Sequence, residues 1–554
     1  MTGPTRPPCE RGIVESVAPG AAPCPPHQAR MVLVASVLGS SLAFVDASVV
    51  GVVLPRIQGQ LSAGAGSAQW IVNAYLLTLG GLVLAGGAAG DRFGRRRVFL
   101  TGIVVFAAAS VMCGLATSSA ALIAARAIQG LGAALLTPNS LALLGSAFAK
   151  AERGRVFGTW AGFAALTSAL GPPLGGWLTD AASWRAVFLI NVPLALAAVL
   201  LAWRFVPESR HPAAARIDWL GALLVTAGLF SLTWGLVAAP DRGISDTRVA
   251  TTLIAGVVLL ALFLLVESRK SAPMVPLVLF RSRAFSAANA VTLLLYFALG
   301  GALFFLPFDL VGAQGYSAAR AGAALVPISV VMGLLSPFAG KLADRIGPRW
   351  PLAVGSITAG VGLGLLGLVP LDVPYAHGLL PALLVLALGV TLAVGPLTST
   401  VMSSVDEGRV GIASGVNNAV ARIAGLLAVA AFGVLLSMVF TGSVQDVVPG
   451  RDGRELLAEA MTGDNALEVT RLRGYFHDAV SKVLVVAGVS AALGGVIALL
   501  AIPAQKRAPS APPRAPGPTR GASETSVLGA RRRRSRSGGP SRRSGSSTRG
   551  SSKR

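Results

Sequence analysis

The chain has 554 residues, of which 53% are hydrophobic and only 13% charged, and its mean hydropathy is +0.68. Soluble domains carry about 25% charged residues, so these proportions exclude a soluble enzyme and make lipid the solvent of most of the sequence. A net charge of +23 would point to a nucleic-acid partner in a soluble protein, but the cations are gathered in one tail.

Residues 1–29 are polar and proline-rich, and they are expected to form a disordered arm rather than a signal peptide. A bilayer core takes about 20 apolar residues per helix. Windows of that kind fall at 31–54, 68–89, 98–117, 120–143, 156–178, 186–206, 218–238, 249–267, 285–308, 319–340, 351–370, 378–402, 411–438 and 481–503. An even number of spans puts both tails on one side of the membrane. With the N-terminus inside, the short inside loops hold 18 Lys and Arg and the short outside loops five, so both termini are expected in the cytoplasm. The long connection at 440–480 then lies outside. In the final segment, 504–554, fourteen cations stand against one acid, Glu524, among Ser, Gly and Pro. Such a composition predicts a disordered tail, attracted to anionic lipid by about 1 kcal/mol per nearby cation. No aromatic residues interleave its arginines for base stacking, so no nucleic-acid partner is expected.

Two loops repeat one pattern. GGAAGDRFGRRRVF (Gly86 to Phe99) and GKLADRIGPRWPL (Gly340 to Leu352) share G-x-x-x-D-R-x-G-x-R, with Asp91 and Asp344 standing 253 residues apart. The chain therefore reads as two related halves, spans 1–6 and 9–14, with spans 7 and 8 inserted between them. Paired bundles around a midplane site are how many secondary transporters alternate access. Gly87 and Gly340 allow close helix approach. Asp91, Arg92, Gly94 and Arg95, and in the second copy Asp344, Arg345 and Gly347, are candidates for a conformational latch between the halves. Pro348 stands where the first copy has Arg95.

Further motifs carry a family resemblance. The first span reads VDASVVGVVLP (Val45 to Pro55), the second WIVNAYLL (Trp70 to Leu77), and the fourth RAIQGLGAA (Arg126 to Ala134). The fifth reads GPPLGGWL (Gly171 to Leu178), followed by WRAVFLINVP (Trp184 to Pro193), and the thirteenth reads GIASGVNNAVARIAG (Gly411 to Gly425). Over residues 31–503 the sequence resembles the major facilitator superfamily and, within it, the fourteen-span drug/proton antiporter family of multidrug-resistance type. Its departures are Ser48 and Gly51 in the first-span motif, Thr167 upstream of the fifth-span glycines, and no acid in the tenth or thirteenth span. The resemblance implies an all-α membrane protein with the major-facilitator fold: two six-helix bundles, 30–206 and 284–503, plus two inserted linker helices within 207–283, giving 14 transmembrane helices. It also implies proton-coupled export of amphipathic, cationic or neutral small molecules such as antibiotics and dyes. No cofactor is implied, and a monomer in a cell membrane is expected. The Gly171, Pro172, Gly175 and Gly176 run resembles the superfamily's antiporter motif.

Ionisable side chains inside a membrane are costly and mark function. The short list is Asp46, Arg126, Asp309 and Arg422. Asp46, within the first span, is the candidate for exchanging a proton during transport. Arg126, with Gln129 on the same helix face, is by resemblance a participant in proton coupling. Arg422 has no acid in its own span and needs a partner from another. Asp309, in FFLPFDLVGAQGYS, reads as an interfacial, solvated carboxylate. The four histidines, His27, His211, His377 and His477, read as solvated side chains of tails and polar connections, and no metal site is expected. The absence of G-x-x-x-x-G-K-[ST] excludes an ATP-driven pump. A dedicated exporter of one endogenous metabolite and a non-transporting sensor or scaffold stand as alternatives.

Overall fold

In hydrocarbon a backbone has to satisfy its own hydrogen bonds, which leaves helices as the form available to these apolar runs. A computed structural model of the chain describes residues 24–148, 150–210, 218–270, 273–405, 410–444, 456–457 and 467–503, all within one compact unit, Met1–Gln505. The basic tail lies outside the described residues.

The first half contains α1 (Pro26–Gln60), α2 (Ala65–Phe93), α3 (Arg95–Gly114), α4 (Ser119–Ala147), α5 (Lys150–Ala181) and a broken sixth span, α6 (Trp184–Leu189) with α7 (Asn191–Phe205). An inserted hairpin follows, α8 (Trp219–Arg242) and α9 (Thr247–Arg269). The second half contains α10 (Arg283–Phe308), a broken tenth span made of α11 (Ala318–Ala324) and α12 (Val326–Ile346), then α13 (Arg349–Leu366), α14 (Leu379–Ser403), α15 (Val410–Val444) and α16 (Leu467–Ala501). Thirteen of these helical segments are long and apolar enough to cross a bilayer, and α5, with 32 residues, contains the remaining window. Among the described residues the architecture is all-α, as expected from the sequence, and the thirteen candidate spans together with α5 are consistent with fourteen.

The ends differ from expectation in two places. α1 begins at Pro26 rather than after residue 29, with proline at its first turn, where a missing N–H costs nothing. α16 begins at Leu467 rather than near 481, so the long connection spans 445–466 and His477 lies on a helix. A window tuned to apolar residues stops at the charged stretch RLRGYFHDAVSK, yet nothing in that stretch breaks a helix.

Both copies of the loop motif close a helix in the same way. Gly94 (φ 111°) ends α2 and Gly347 (φ 84°) ends α12, and their N–H groups donate to Gly90 O and Ala343 O. A side chain is strained at such φ values, which accounts for glycine at that position of the repeat.

Within the first half α2 and α3 pack on α4, and α1 packs on α5 and α7; in the second, α13 packs on α14 and α16, and α10 on α15 and α16. Besides a contact of α1 with α10 and α11, the halves meet along two lines. On one, α2 faces α15, and inserted helix α8 packs against both. On the other, α5 lies on α11 and α12. Small residues set the distance here, as between membrane helices generally. A Cβ on Gly176 would collide with the carbonyl of Ala318, and one on Gly322 with the carbonyl of Pro172. The α5–α11 contact is locked further by Asp180, whose Oδ2 accepts from the N–H of Ala319 at 2.9 Å. Gly176→Val is therefore expected to force α5 from α11 and cost about 1–3 kcal/mol, seen as a lower melting temperature of the purified protein. Gly364→Val, at a glycine whose Cβ would meet nothing within 4 Å, is the comparison and is expected to shift it little.

Candidate functional site

The first cluster joins four helices. Asp46 on α1 and Arg126 on α4 are each 1% exposed and Gln129 is fully buried, so each charge must be paired and hydrogen-bonded within the protein. Arg126 Nη1 donates to Asp46 Oδ2 at 2.5 Å and to Gln129 Oε1 at 2.6 Å. Arg126 Nε donates to the carbonyl of Ile71 on α2 at 3.1 Å. Gln129 Nε2 donates to the other carboxylate oxygen, Asp46 Oδ1, at 2.9 Å and to Ser110 Oγ on α3 at 2.9 Å. The guanidinium also lies 4.3 Å from the ring centre of Tyr75, an arrangement that favours a cation. Arg126 and Gln129 reach the same carboxylate because they are three residues apart on one helix face. Chemically, a proton on Asp46 would remove the anion from Arg126 while leaving it Gln129, the Ile71 carbonyl and the Tyr75 ring.

The second cluster lies in the other half. Asp309 is 2% exposed and is not the solvated interfacial carboxylate expected from sequence. Behind Pro307, α10 widens into one π-helical turn, Asp309–Ala313, and the carboxylate packs into the protein. Gln314 Nε2 donates to Asp309 Oδ2 at 2.8 Å, and Asp309 Oδ1 lies 2.8 Å from His477 Nδ1 on α16. His477 Nε2 lies 2.9 Å from the carbonyl of Val369. His477 is thus a partner of Asp309, not a solvated loop residue. Both ring nitrogens face acceptors, so satisfying both requires both N–H groups, the imidazolium form.

The remaining predicted residues divide between the halves and their seam. Asp91 pairs with Arg95 Nη2 at 2.8 Å across Gly94, and Glu208 accepts from the N–H groups of Arg96 (3.1 Å) and Arg97 (3.3 Å). These contacts knit α2, α3 and the segment after α7 within one half; they do not join the two halves. A Cβ on Gly87 would lie 3.5 Å from Pro138 of α4, again in the same half. Gly340 has open space around it, and Arg345 is exposed. The side chain of Asp344 lies outside the described residues. Gly171 and Gly175 pack α5 on Ser48 and Val49 of α1, while Gly176 reaches the other half. Arg422 is half-buried on α15 beside Gly80 of α2 and forms no ion pair with either acid cluster. Among the described residues no group of three or more His, Cys, Asp or Glu is placed to hold a metal ion.

Tyr75, Ser110 and His477 were not singled out as members of these clusters by the sequence. The usable signal for His477 was Asp309 itself, since an acid at membrane depth demands a partner. Removing one member of the Asp46–Arg126 pair is expected to cost about 3–5 kcal/mol by stranding the other charge. Asp46→Leu combined with Arg126→Met is expected to recover much of that loss, and a double-mutant cycle of thermal unfolding in detergent measures the difference.

Residues 36–429 match the Major Facilitator Superfamily. The tetracenomycin C resistance and export protein of Streptomyces glaucescens is 34% identical over 421 residues, 76% of this chain and 77% of that protein. The multidrug resistance protein Stp of Mycobacterium tuberculosis is 34% identical over 434 residues, 77% of this chain and 80% of that protein. The methylenomycin A resistance protein of Bacillus subtilis is 35% identical over 411 residues, 74% of this chain and 87% of that protein. Among solved structures, a bacterial homologue of the human lysosomal transporter Spinster superposes with a TM-score of 0.61 at 17% identity, covering 86% of this chain and 98% of that one. The fold, the motifs and these relatives agree: the chain belongs to the major facilitator superfamily, among its exporters of the antibiotic- and multidrug-resistance type.

Proposed function

We propose that the protein exports amphipathic small molecules of the antibiotic class in exchange for protons, with Asp46, Arg126 and Gln129 as the coupling group. The observation that carries this reading is the fully buried Asp46–Arg126 pair joining α1 to α4. An ion pair sealed in a membrane protein is weak support for stability, but it is a natural site for a proton, because protonating the carboxylate separates it from the guanidinium without stranding a negative charge. Arg126 stays cationic throughout. Helices α1 and α4 would then shift relative to each other, and α1 carries the shift to α5 through the Gly171 and Gly175 contacts.

The excess of Lys and Arg in one set of short loops supports cytoplasmic termini and a multi-pass orientation in the cell membrane. On that orientation the α5–α11 contact lies at the outer end, and the antiporter-type glycines form part of an outer gate. The 504–554 tail would sit at the inner surface, where its cations favour anionic lipid. A dedicated exporter of one compound is the second reading, favoured by relatives named for single antibiotics such as the cephamycin export protein of Amycolatopsis lactamdurans. The coupling and gate chemistry are the same in both.

Inverted vesicles made acid inside test the proposal. Adding a transported drug is expected to dissipate the proton gradient, and Asp46→Asn is expected to slow that dissipation by about a hundredfold or more, the scale of losing a positioned proton carrier. Drug-driven proton movement that survives in Asp46→Asn would place coupling elsewhere, with Asp309–His477 the next pair to test.

A further inference from the structure

The interior charges do not balance. Asp46 is matched by Arg126 and Asp309 by His477, but Arg422 has no hydrogen bond or ion pair among the described residues. It stands twelve residues into the 35-residue helix α15, about 18 Å along it, so it is at membrane depth. A lysine in such a place can release its proton and become neutral; an arginine cannot. The charge is therefore permanent and has to be compensated by water or by an anion from outside the protein.

Its surroundings say which space it faces. A Cβ on Gly80 would lie 3.6 Å from the Cβ of Arg422, which puts Arg422 against the middle of α2, in the opposite half. Its ionisable neighbours are Tyr75 of α2 and Tyr296 of α10, one from each half, and neither is an acid. One turn earlier on the same face of α15 is Asn418, an exposed amide that bonds only back to the Ser414 carbonyl at 3.3 Å. Asn417, by contrast, points at α10, donating to Asn289 (3.2 Å) and Thr292 (2.6 Å). An exposed amide and a half-buried guanidinium on one face of a membrane helix belong to a watery space between the halves rather than to lipid.

We infer that Arg422 is the receptor for an anionic group on the transported molecule, a carboxylate or phenolate carried by an apolar body, and that Asn418 lies on the approach to it. This deepens the export proposal above, on which it rests, by adding molecules with an anionic group to the cationic or neutral ones expected from the sequence. The fork of a guanidinium suits a carboxylate, which it can bind through two parallel hydrogen bonds. Tyr75 ties this receptor to the coupling group: its ring lies on Arg126, and its charged neighbours are Asp46, Arg126 and Arg422. A substrate anion at Arg422 and a proton at Asp46 would thus both change the charge around Tyr75.

Two dyes built on the same three-ring scaffold, anionic fluorescein and cationic rhodamine 123, separate the possibilities. Binding to the purified full-length protein is measured by fluorescence anisotropy, and transport by the same protein in liposomes with an imposed pH gradient. Wild type is expected to bind and move fluorescein. Arg422→Gln should weaken fluorescein binding by about tenfold to a hundredfold, the scale of a lost charge-assisted hydrogen bond, with rhodamine 123 binding unchanged or tighter. Arg422→Lys, which keeps the charge and loses the fork, should fall between them and confirms that the site is not merely a packing position; monodisperse elution of each variant checks folding. Wild type that binds rhodamine 123 but not fluorescein, or fluorescein binding that Arg422→Gln leaves unchanged, overturns the receptor. Fluorescein binding that depends on Arg422 without any gradient-driven transport of either dye upholds the receptor and overturns proton-coupled export instead.

Discussion

A charge carried into hydrocarbon has to meet its opposite there, and this requirement organises the molecule. Asp46 and Arg126 answer it within one half, and in doing so they tie α1 to α4, with Gln129 reaching α3 through Ser110 and Arg126 reaching α2 through the Ile71 carbonyl. Four of the six spans of the first bundle are thus fixed by one polar knot. Asp309 and His477 answer the same requirement in the second half, joining the end of α10 to α16 and to the Val369 carbonyl beyond α13. The two knots are built differently: one cation can never release its proton and the other can.

Around these knots the helices are held by small residues and by packing, which tolerate sliding better than a polar network does. The contrast is clearest on α5. Its glycines bring it against α1 on one side and α11 on the other, so the helix belongs to the first bundle by covalent order and to both bundles by contact. A motion that starts at Asp46 reaches the second half both through α5 and through the contacts of α1 with α10 and α11.

Much of this was legible in the residues. The fourteen apolar windows all fall on helices, two of them broken, because lipid leaves the backbone no other choice, and the repeated loop pattern announced two halves. Asp46, Arg126 and Gln129 were each visible as polar groups at membrane depth, but the shared carboxylate was not, since Arg126 lies 80 residues from Asp46 and spacing along the chain carries no distance across a bundle. Asp309 was misjudged because a window average cannot register the π-helical turn that buries it, and His477 because charged residues hid the first turns of α16. The loop motif was read as a latch between halves; its Asp91–Arg95 pair is local because the two residues face each other across a helix junction four positions apart.

The inserted hairpin makes the molecule lopsided. Because α8 covers the line where α2 meets α15, with α9 outside it and only 17% of its apolar window buried, the bilayer is walled off from the flank on which Arg422 stands. The opposite line, between α5 and α12, has no such cover, and Leu166, Leu170, Leu334 and Phe338 stand exposed along those two helices. A molecule already dissolved in the membrane would meet a helix hairpin over one line and bare apolar helix surface over the other.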